Sequence, residues 1–218
     1  MKTLLELKGI HLQFDKNIVF KNLNLTINYN EITVIKTGVL DGGTSLLKIC
    51  NNTLVTQYGC VIYEGLISTN IDNSKLFHTV GMQFESDGLL SMYTVKENCK
   101  LPQIFHTKIK DSVIDNNVLS VAQEFDLHYL LDKYPYQLND VQLRLANLLR
   151  LLSSKPKVIL LDEIQSGMSE QLRKGLLMKL VRYIRNNNMS MIMTITAGDM
   201  DNFSDHRLEI KNFNVSRY

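Results

Sequence analysis

Val158-Ile159-Leu160-Leu161-Asp162-Glu163 decides the fold. Four apolar residues end in two acids, and Pro156 breaks the chain just ahead of them. Such a run reads as a buried strand delivering two carboxylates at its carboxyl end. Beside a phosphate-holding loop, the first carboxylate can hold Mg²⁺ through water and the second can polarise an attacking water. Taken alone, the same six residues are also what a strand ending in ordinary solvated acids would look like.

A loop with the right setting lies upstream. Ile32-Thr33-Val34-Ile35 predicts a β-branched buried strand, followed by Thr37-Gly38-Val39-Leu40-Asp41-Gly42-Gly43-Thr44-Ser45 and a helix from Thr44 to about Cys50. A phosphate cradle needs glycines so that backbone N–H groups converge on the anion. It also needs a lysine for the β- and γ-phosphates, and a Ser or Thr hydroxyl for Mg²⁺ at a helix start. Gly38, Gly42, Gly43, Thr44 and Ser45 supply part of this set. The lysine is absent, Gly43 stands in its place, and Leu40 replaces a glycine. A simple strand-to-helix turn is the competing reading. Lys36 at the end of the strand is the one early lysine that could compensate, although an exposed strand-end lysine explains it equally. Lys48 is expected to point away as a solvated residue.

Further strands are expected at Leu4–Leu7, His11–Phe14, Leu23–Ile27, Cys60–Tyr63, Thr79–Met82 and Met191–Thr196. Val118, Val121, Ala122 and Phe125 recur at helical spacing. Gln142 to Leu152 is apolar nearly all round, and Leu172, Leu176, Leu177, Leu180 and Ile184 stripe a long helix after Gly167. The expected class is α/β: a mostly parallel sheet core with N-terminal antiparallel strands and a helical subdomain. We expect a single domain over 1–218, with a core lobe at 1–84 and 155–218 and a helical lobe at 85–154.

Composition narrows the function classes. With 218 residues, 44% apolar, the chain can bury a full core. A formal charge of +2 gives no electrostatic case for nucleic acid or an anionic membrane. Three cysteines without metal spacing suggest buried thiols in a reducing compartment. No apolar run reaches the roughly 20 residues needed to span a bilayer, and Glu6 breaks any signal-peptide core. A membrane role would therefore require a partner. The five histidines form no ligand pattern with acids, and Met189, Met191 and Met193 read as core packing.

Taken in order, further residues resemble the ATP-binding cassette (ABC) ATPases over nearly the whole chain. Phe14 falls where that family stacks an aromatic on adenine. Phe84-Glu85-Ser86-Asp87-Gly88-Leu89-Leu90-Ser91-Met92-Tyr93-Thr94-Val95-Lys96-Glu97-Asn98 is similar to its glutamine loop and the Thr-Val-x-Glu-Asn run after it. Leu138-Asn139-Asp140-Val141-Gln142 lies where the Leu-Ser-Gly-Gly-Gln signature is found. Arg150, Pro156 and Asp162-Glu163 follow at family spacing, and Ser166-Gly167-Met168-Ser169 takes the place of the loop that crosses between subunits. The Phe84 to Leu101 stretch, with Arg144, most resembles ATPases of Mla/Mce-type lipid transporters. The resemblance implies a P-loop fold, ATP and Mg²⁺ as cofactors, a second cassette copy or another cassette as dimer partner, and an integral-membrane permease. It implies a cytoplasmic location, peripheral on the inner face of the membrane through that permease.

By the same resemblance, Phe14, Gly38, Gly42, Gly43, Thr44, Ser45, Glu85, Asn139, Asp140 and Gln142 are the nucleotide-binding candidates, with the Asn139 to Gln142 segment directed at the γ-phosphate of the partner subunit's nucleotide. Thr44, Glu85 and Asp162 are the Mg²⁺ candidates, and Asp162 with a vestigial Glu163 the catalytic ones. Phe84, Leu89, Leu90, Met92 and Tyr93 are the expected permease groove, able to grip a short helix. The departures fall on chemistry. Gly43 replaces lysine, Glu85 replaces glutamine, Asn139-Asp140-Val141 replace Ser-Gly-Gly, Ala197 stands near the switch histidine, and Ser169 replaces an aspartate. Losing one positioned transition-state group costs roughly 3–4 kcal/mol, about 10²–10³ in rate. Several such losses would leave almost no turnover even with strong non-additivity. The expectation is a docking and scaffolding pseudo-ATPase, with ATP and Mg²⁺ only if the site still binds and otherwise no cofactor. A slow ATPase with a rebuilt site and a soluble regulatory module are the two alternatives.

Overall fold

A computed structural model describes residues 2–38, 40–84 and 88–218. Strands β1 (Thr3–Phe14) and β2 (Asn17–Asn28) form a long antiparallel pair, with Leu5 opposite Ile27 and Leu12 opposite Phe20. Sequence periodicity predicts two short strands here and a third over Leu23–Ile27, but the structure has two continuous twelve-residue ones. The difference is a bulge. Register slips between Leu7 and Ile10, Gly9 adopts φ 61°, and its N–H donates to Asn24 Oδ1 at 3.0 Å. A glycine accepts that left-handed turn without cost from a Cβ, so the strand bends and continues. β4 (Tyr58–Tyr63) pairs with the other edge of β1, and β5 (Leu66–Ile67) closes the four-stranded sheet.

The second sheet is six-stranded. β3 (Ile32–Lys36), β6 (Val80–Gln83), β7 (Val158–Leu161), β8 (Ser190–Ile195) and β9 (His206–Lys211) run parallel, and β10 (Asn214–Arg217) is an antiparallel edge, in the order β10-β9-β3-β8-β7-β6. Helix α1 (Gly43–Cys50) follows β3, α2 (Asn73–Thr79) precedes β6, and α6 (Glu170–Asn186) joins β7 to β8. Between β6 and β7 come α3 (Val95–His106), α4 (Asp111–Glu124) and α5 (Asp140–Ser153), the helical subdomain.

β7 shows why a strand without alternation is stable here. Val158 and Leu160 pack with α1 and the antiparallel sheet, while Ile159 and Leu161 pack with the helices on the opposite face. All four are fully buried, each gaining roughly 1.5–3 kcal/mol from leaving water. β8 divides the same way, with Met191 and Met193 on one side and Ile192 on the other. Two of the three cysteines, Cys50 and Cys99, are buried free thiols, pushed up to about 12 by burial.

Several contacts among the described residues tie the sheets together. Lys21 N–H donates to Phe213 O at 3.0 Å. Glu64 accepts from Lys157 Nζ at 2.7 Å and from the Tyr29 hydroxyl. Burial would raise the Glu64 carboxyl, but the hydrogen bonds from Lys157 and Tyr29 prevail and hold it below its usual value.

The Thr-Val-x-Glu-Asn run has a structural explanation. Thr94 is the N-cap of α3, accepting from Glu97 N–H at 3.2 Å, while Glu97 Oε2 accepts from Thr94 N–H at 2.7 Å. This reciprocal capping box satisfies donors that a helix start leaves open. Asn98 then staples the preceding turn: its Oδ1 accepts from Leu90 N–H at 2.7 Å, and its Nδ2 donates to the carbonyls of Leu90, Tyr93 and Thr94.

Candidate functional site at the glycine loop

Between β3 and α1 the described residues make a turn held by a few hydrogen bonds. Thr37 is anchored to β8, its N–H donating to Ile195 O at 2.9 Å and its hydroxyl to the same oxygen at 3.3 Å. Gly38 N–H donates to Asp41 Oδ2 at 2.8 Å. Leu40 adopts φ 65° and Gly42 φ 94°. At Gly42 a side chain is excluded, since a Cβ would lie 2.4 Å from Val19 Cγ1. At Gly43 a Cβ would lie 2.6 Å from Thr37 Cγ2, and 3.4 Å from Thr194 Cγ2.

Beside this turn is a hollow of about 700 Å³. Phe14, Gly38, Gly42, Gly43, Thr44 and Ser45 all line it, so the fold assembles six of the sequence-derived candidates in one place. Val19, Thr37, Leu40, Asp41, Thr196 and Ala197 complete the wall, together with Glu163. Phe14, at the end of β1, is 47% exposed and free to offer a ring face.

The two acids after β7 separate. Glu163 turns at φ 44° and reaches the hollow. Asp162 does not line it: the residue is 2% exposed and accepts from the Thr194 hydroxyl at 2.8 Å. Thr194 Oγ1 in turn accepts from Glu163 N–H at 3.0 Å. Asp162 thus orients the threonine that fixes the turn carrying Glu163. The following segment is bracketed by Gln165, whose Nε2 donates to Met200 O at 2.9 Å while its Oε1 accepts from Met200 N–H at 3.0 Å. Asp199 accepts from Thr196 N–H at 2.9 Å and pairs with Arg173 at 3.4 Å, which fixes the turn around Ala197.

Asn139, Asp140 and Gln142 lie elsewhere. With Tyr129, Val141, Leu145 and Leu172 they line a separate hollow at the start of α5. Asn139 Oδ1 accepts from Gln142 N–H at 2.9 Å and Gln142 Oε1 accepts from Asn139 N–H at 3.1 Å, a second capping box. Asp140 in the first turn suits the positive end of the helix. Ser169 is likewise an N-cap, for α6. Glu85, together with Val39, Ser86 and Asp87, lies outside the described residues.

A groove of about 470 Å³ runs between the parallel sheet and the helical subdomain. Phe84 and Leu90 line it; Leu89 packs against the core instead, and Met92 and Tyr93 lie outside the lining. Sequence reading missed its principal apolar walls, Phe77, Leu101, Pro102 and Phe105, which come from two helices distant in sequence. Arg150 also lines it; burial lowers its guanidinium affinity for the proton, and its Nε has no hydrogen-bond partner among the described residues.

Around the glycine loop, charge is the decisive property. Among the described residues lining the hollow, Asp41 and Glu163 are carboxylates and none is lysine, arginine or histidine. Lys36 does not fold back: its Nζ sits 5.8 Å from the centre of the Tyr218 ring. Lys48 is half-buried on α1 and outside the lining. Asp162, the expected Mg²⁺ holder, is committed to Thr194. A triphosphate needs free N–H donors and a cation. Gly38 N–H is already bonded, while the start of α1 has no side-chain cap and keeps its own amides as donors. With two carboxylates and no cation among the described lining residues, the phosphates lack a positive partner, so these residues fit ATP poorly.

Residues 20–166 match the family model described as ABC transporter. The chain belongs to the ABC transporter family. Among curated ABC relatives, it is 24% identical over 203 residues to the intermembrane phospholipid transport system ATP-binding protein MlaF of Haemophilus influenzae, covering 92% of this chain and 76% of that protein. It is 25% identical to the putative hemin import ATP-binding protein HrtA of Staphylococcus haemolyticus, covering 89% of each. It is 30% identical to the spermidine/putrescine import ATP-binding protein PotA of Aggregatibacter actinomycetemcomitans over 79% of this chain, but spans only 46% of that longer protein. The fold matches the dimeric ABC cassette MJ0796 bound to ADP and Pi with a TM-score of 0.86 at 20% identity, covering 98% of this chain and 97% of the cassette. An antiparallel sheet, a mostly parallel sheet and a helical subdomain are thus the ABC ATPase fold. Among the described residues, no helix is long and apolar enough to cross a membrane.

Proposed function

We propose that this chain is a nucleotide-binding-domain subunit that has given up its own ATP site and acts as a docking and scaffolding piece on an integral-membrane permease. It pairs there with a second copy or with another cassette. The carrying observation is the hollow at the glycine loop, whose lining, among the described residues, holds two carboxylates and no cation. The groove that includes Phe84, Leu90 and Phe105 supports the docking half of this reading. Its apolar walls suit the face of an amphipathic helix, of the kind a permease presents on its cytoplasmic side. The likeness to MlaF, together with the Phe84 to Leu101 stretch, supports phospholipid as the transported class.

Calorimetric titration of the purified chain with Mg²⁺-ATP tests the reading. The expected result is no saturable heat at millimolar nucleotide. Saturable binding well below a millimolar would overturn it. A slow ATPase is the second reading, favoured by Glu163 reaching the hollow. It predicts that Glu163→Gln abolishes the activity of the assembled transporter, whereas the scaffold reading predicts no change.

A further inference from the structure

The missing lysine is one of three changes that close the loop together, and the other two are visible only in three dimensions. Thr37 is 7% exposed, and its Cγ2 stands 2.6 Å from where a Cβ at position 43 would be. Real Cβ atoms do not approach carbon that closely, and swinging the threonine aside would break the hydrogen bond from its hydroxyl to Ile195 O. On the other side of the turn, Asp41 Oδ2 is held 2.8 Å from Gly38 N and only 2.5 Å from where a Cβ on Gly38 would project. Its carboxylate therefore lies over the Gly38 end of the turn, bonded to one of the loop's N–H donors.

From this geometry we infer that the loop is self-liganded. Asp41 acts as a built-in anion on the Gly38 N–H, and Thr37 fills the space that a side chain at position 43 would need. The inference rests on the pseudo-ATPase reading and deepens it: nucleotide is excluded by Thr37, Asp41 and Gly43 as a set. A phosphate entering this turn must displace a tethered carboxylate that competes at high local concentration, and it is repelled by the same charge. Restoring lysine at position 43 changes the charge but leaves both obstacles in place, and it adds a steric overlap with Thr37.

The test compares four full-length chains by titration with Mg²⁺-ATP, each first checked for folding by circular dichroism and thermal unfolding. The wild-type chain and Gly43→Lys are expected to show no saturable binding. Thr37→Gly with Gly43→Lys gives weak binding, and adding Asp41→Ser tightens it by about tenfold or more, the scale expected on removing a juxtaposed like charge. Binding by Gly43→Lys alone as tight as by the triple variant would overturn the inference while leaving the pseudo-ATPase reading intact. A folded triple variant that fails to bind would overturn it too. Binding by the wild-type chain would instead overturn the underlying reading. A measurement that needs no variant to bind nucleotide completes the test. Hydrogen exchange of the Gly38 amide, followed by NMR, is expected to be slowed in the wild-type chain and to quicken in Asp41→Ala. A wild-type amide that exchanges as fast as in Asp41→Ala would show that the Asp41 contact is not made and overturn the inference.

Discussion

Leu40 adopts φ 65° with its side chain 97% exposed. It carries the cost of a left-handed backbone, about 1–2 kcal/mol for a residue with a Cβ, and buries nothing in return. Glycine would remove that cost and give back roughly 0.5–1 kcal/mol through its freer unfolded chain. Leu40→Gly is therefore expected to stabilise the protein by about 0.5–1 kcal/mol in urea unfolding; a fall in stability would contradict the assigned strain. The residue scale is also where sequence reading stopped. That Gly43 is not a lysine is plain from the sequence. That Thr37 occupies its space, or that Asp41 binds Gly38, depends on side-chain rotamers across a turn, and no spacing rule reports them. Asp162 is the reverse case. Its identity suggested metal chemistry, and only its burial against Thr194 shows a carboxylate committed to another partner.

At the scale of elements, the run from Thr94 to Asn98 is a cap and a staple. Thr94→Ala removes the acceptor for Glu97 N–H at the start of α3, and is expected to cost about 1 kcal/mol of stability. Chemical denaturation of the purified chain checks this; no loss of stability would mean that Asn98 alone fixes the turn. Elements with strong periodicity were legible. β3, β7, α5 and α6 fall where their apolar patterns place them, within a residue or two. The break of β1 into two was misread, because Lys8-Gly9 interrupts the alternation while the bulge carries pairing through it. β10 was missed for a different reason: Asn214-Val215-Ser216-Arg217 is a short edge strand with one half-buried apolar residue, too little pattern to detect.

For the whole molecule, the groove is the feature that reaches outward. Phe105 is 77% exposed and lines it alongside Phe77 and Leu101. Phe105→Asp should leave folding within about 0.5 kcal/mol of wild type, as exposed sites generally do, and yet abolish co-purification with the permease. Retained co-purification would move the docking surface elsewhere. Two of the five residues expected there, Phe84 and Leu90, are in the lining. The rest of the surface comes from α2, α3 and the end of α5, which only the assembled subdomain brings together.

The link from Asp162 through Thr194 to the Glu163 N–H bears on how relatives of this chain are sorted. An intact acid pair is commonly taken as the mark of a working motor. Here its first member is a brace, kept for the shape of a turn whatever becomes of the chemistry above it. On the proposed reading, a survey that scored cassettes by that pair would wrongly count this one among the living. An Asp162→Asn transporter that fell silent would then record a collapsed joint rather than a stopped engine.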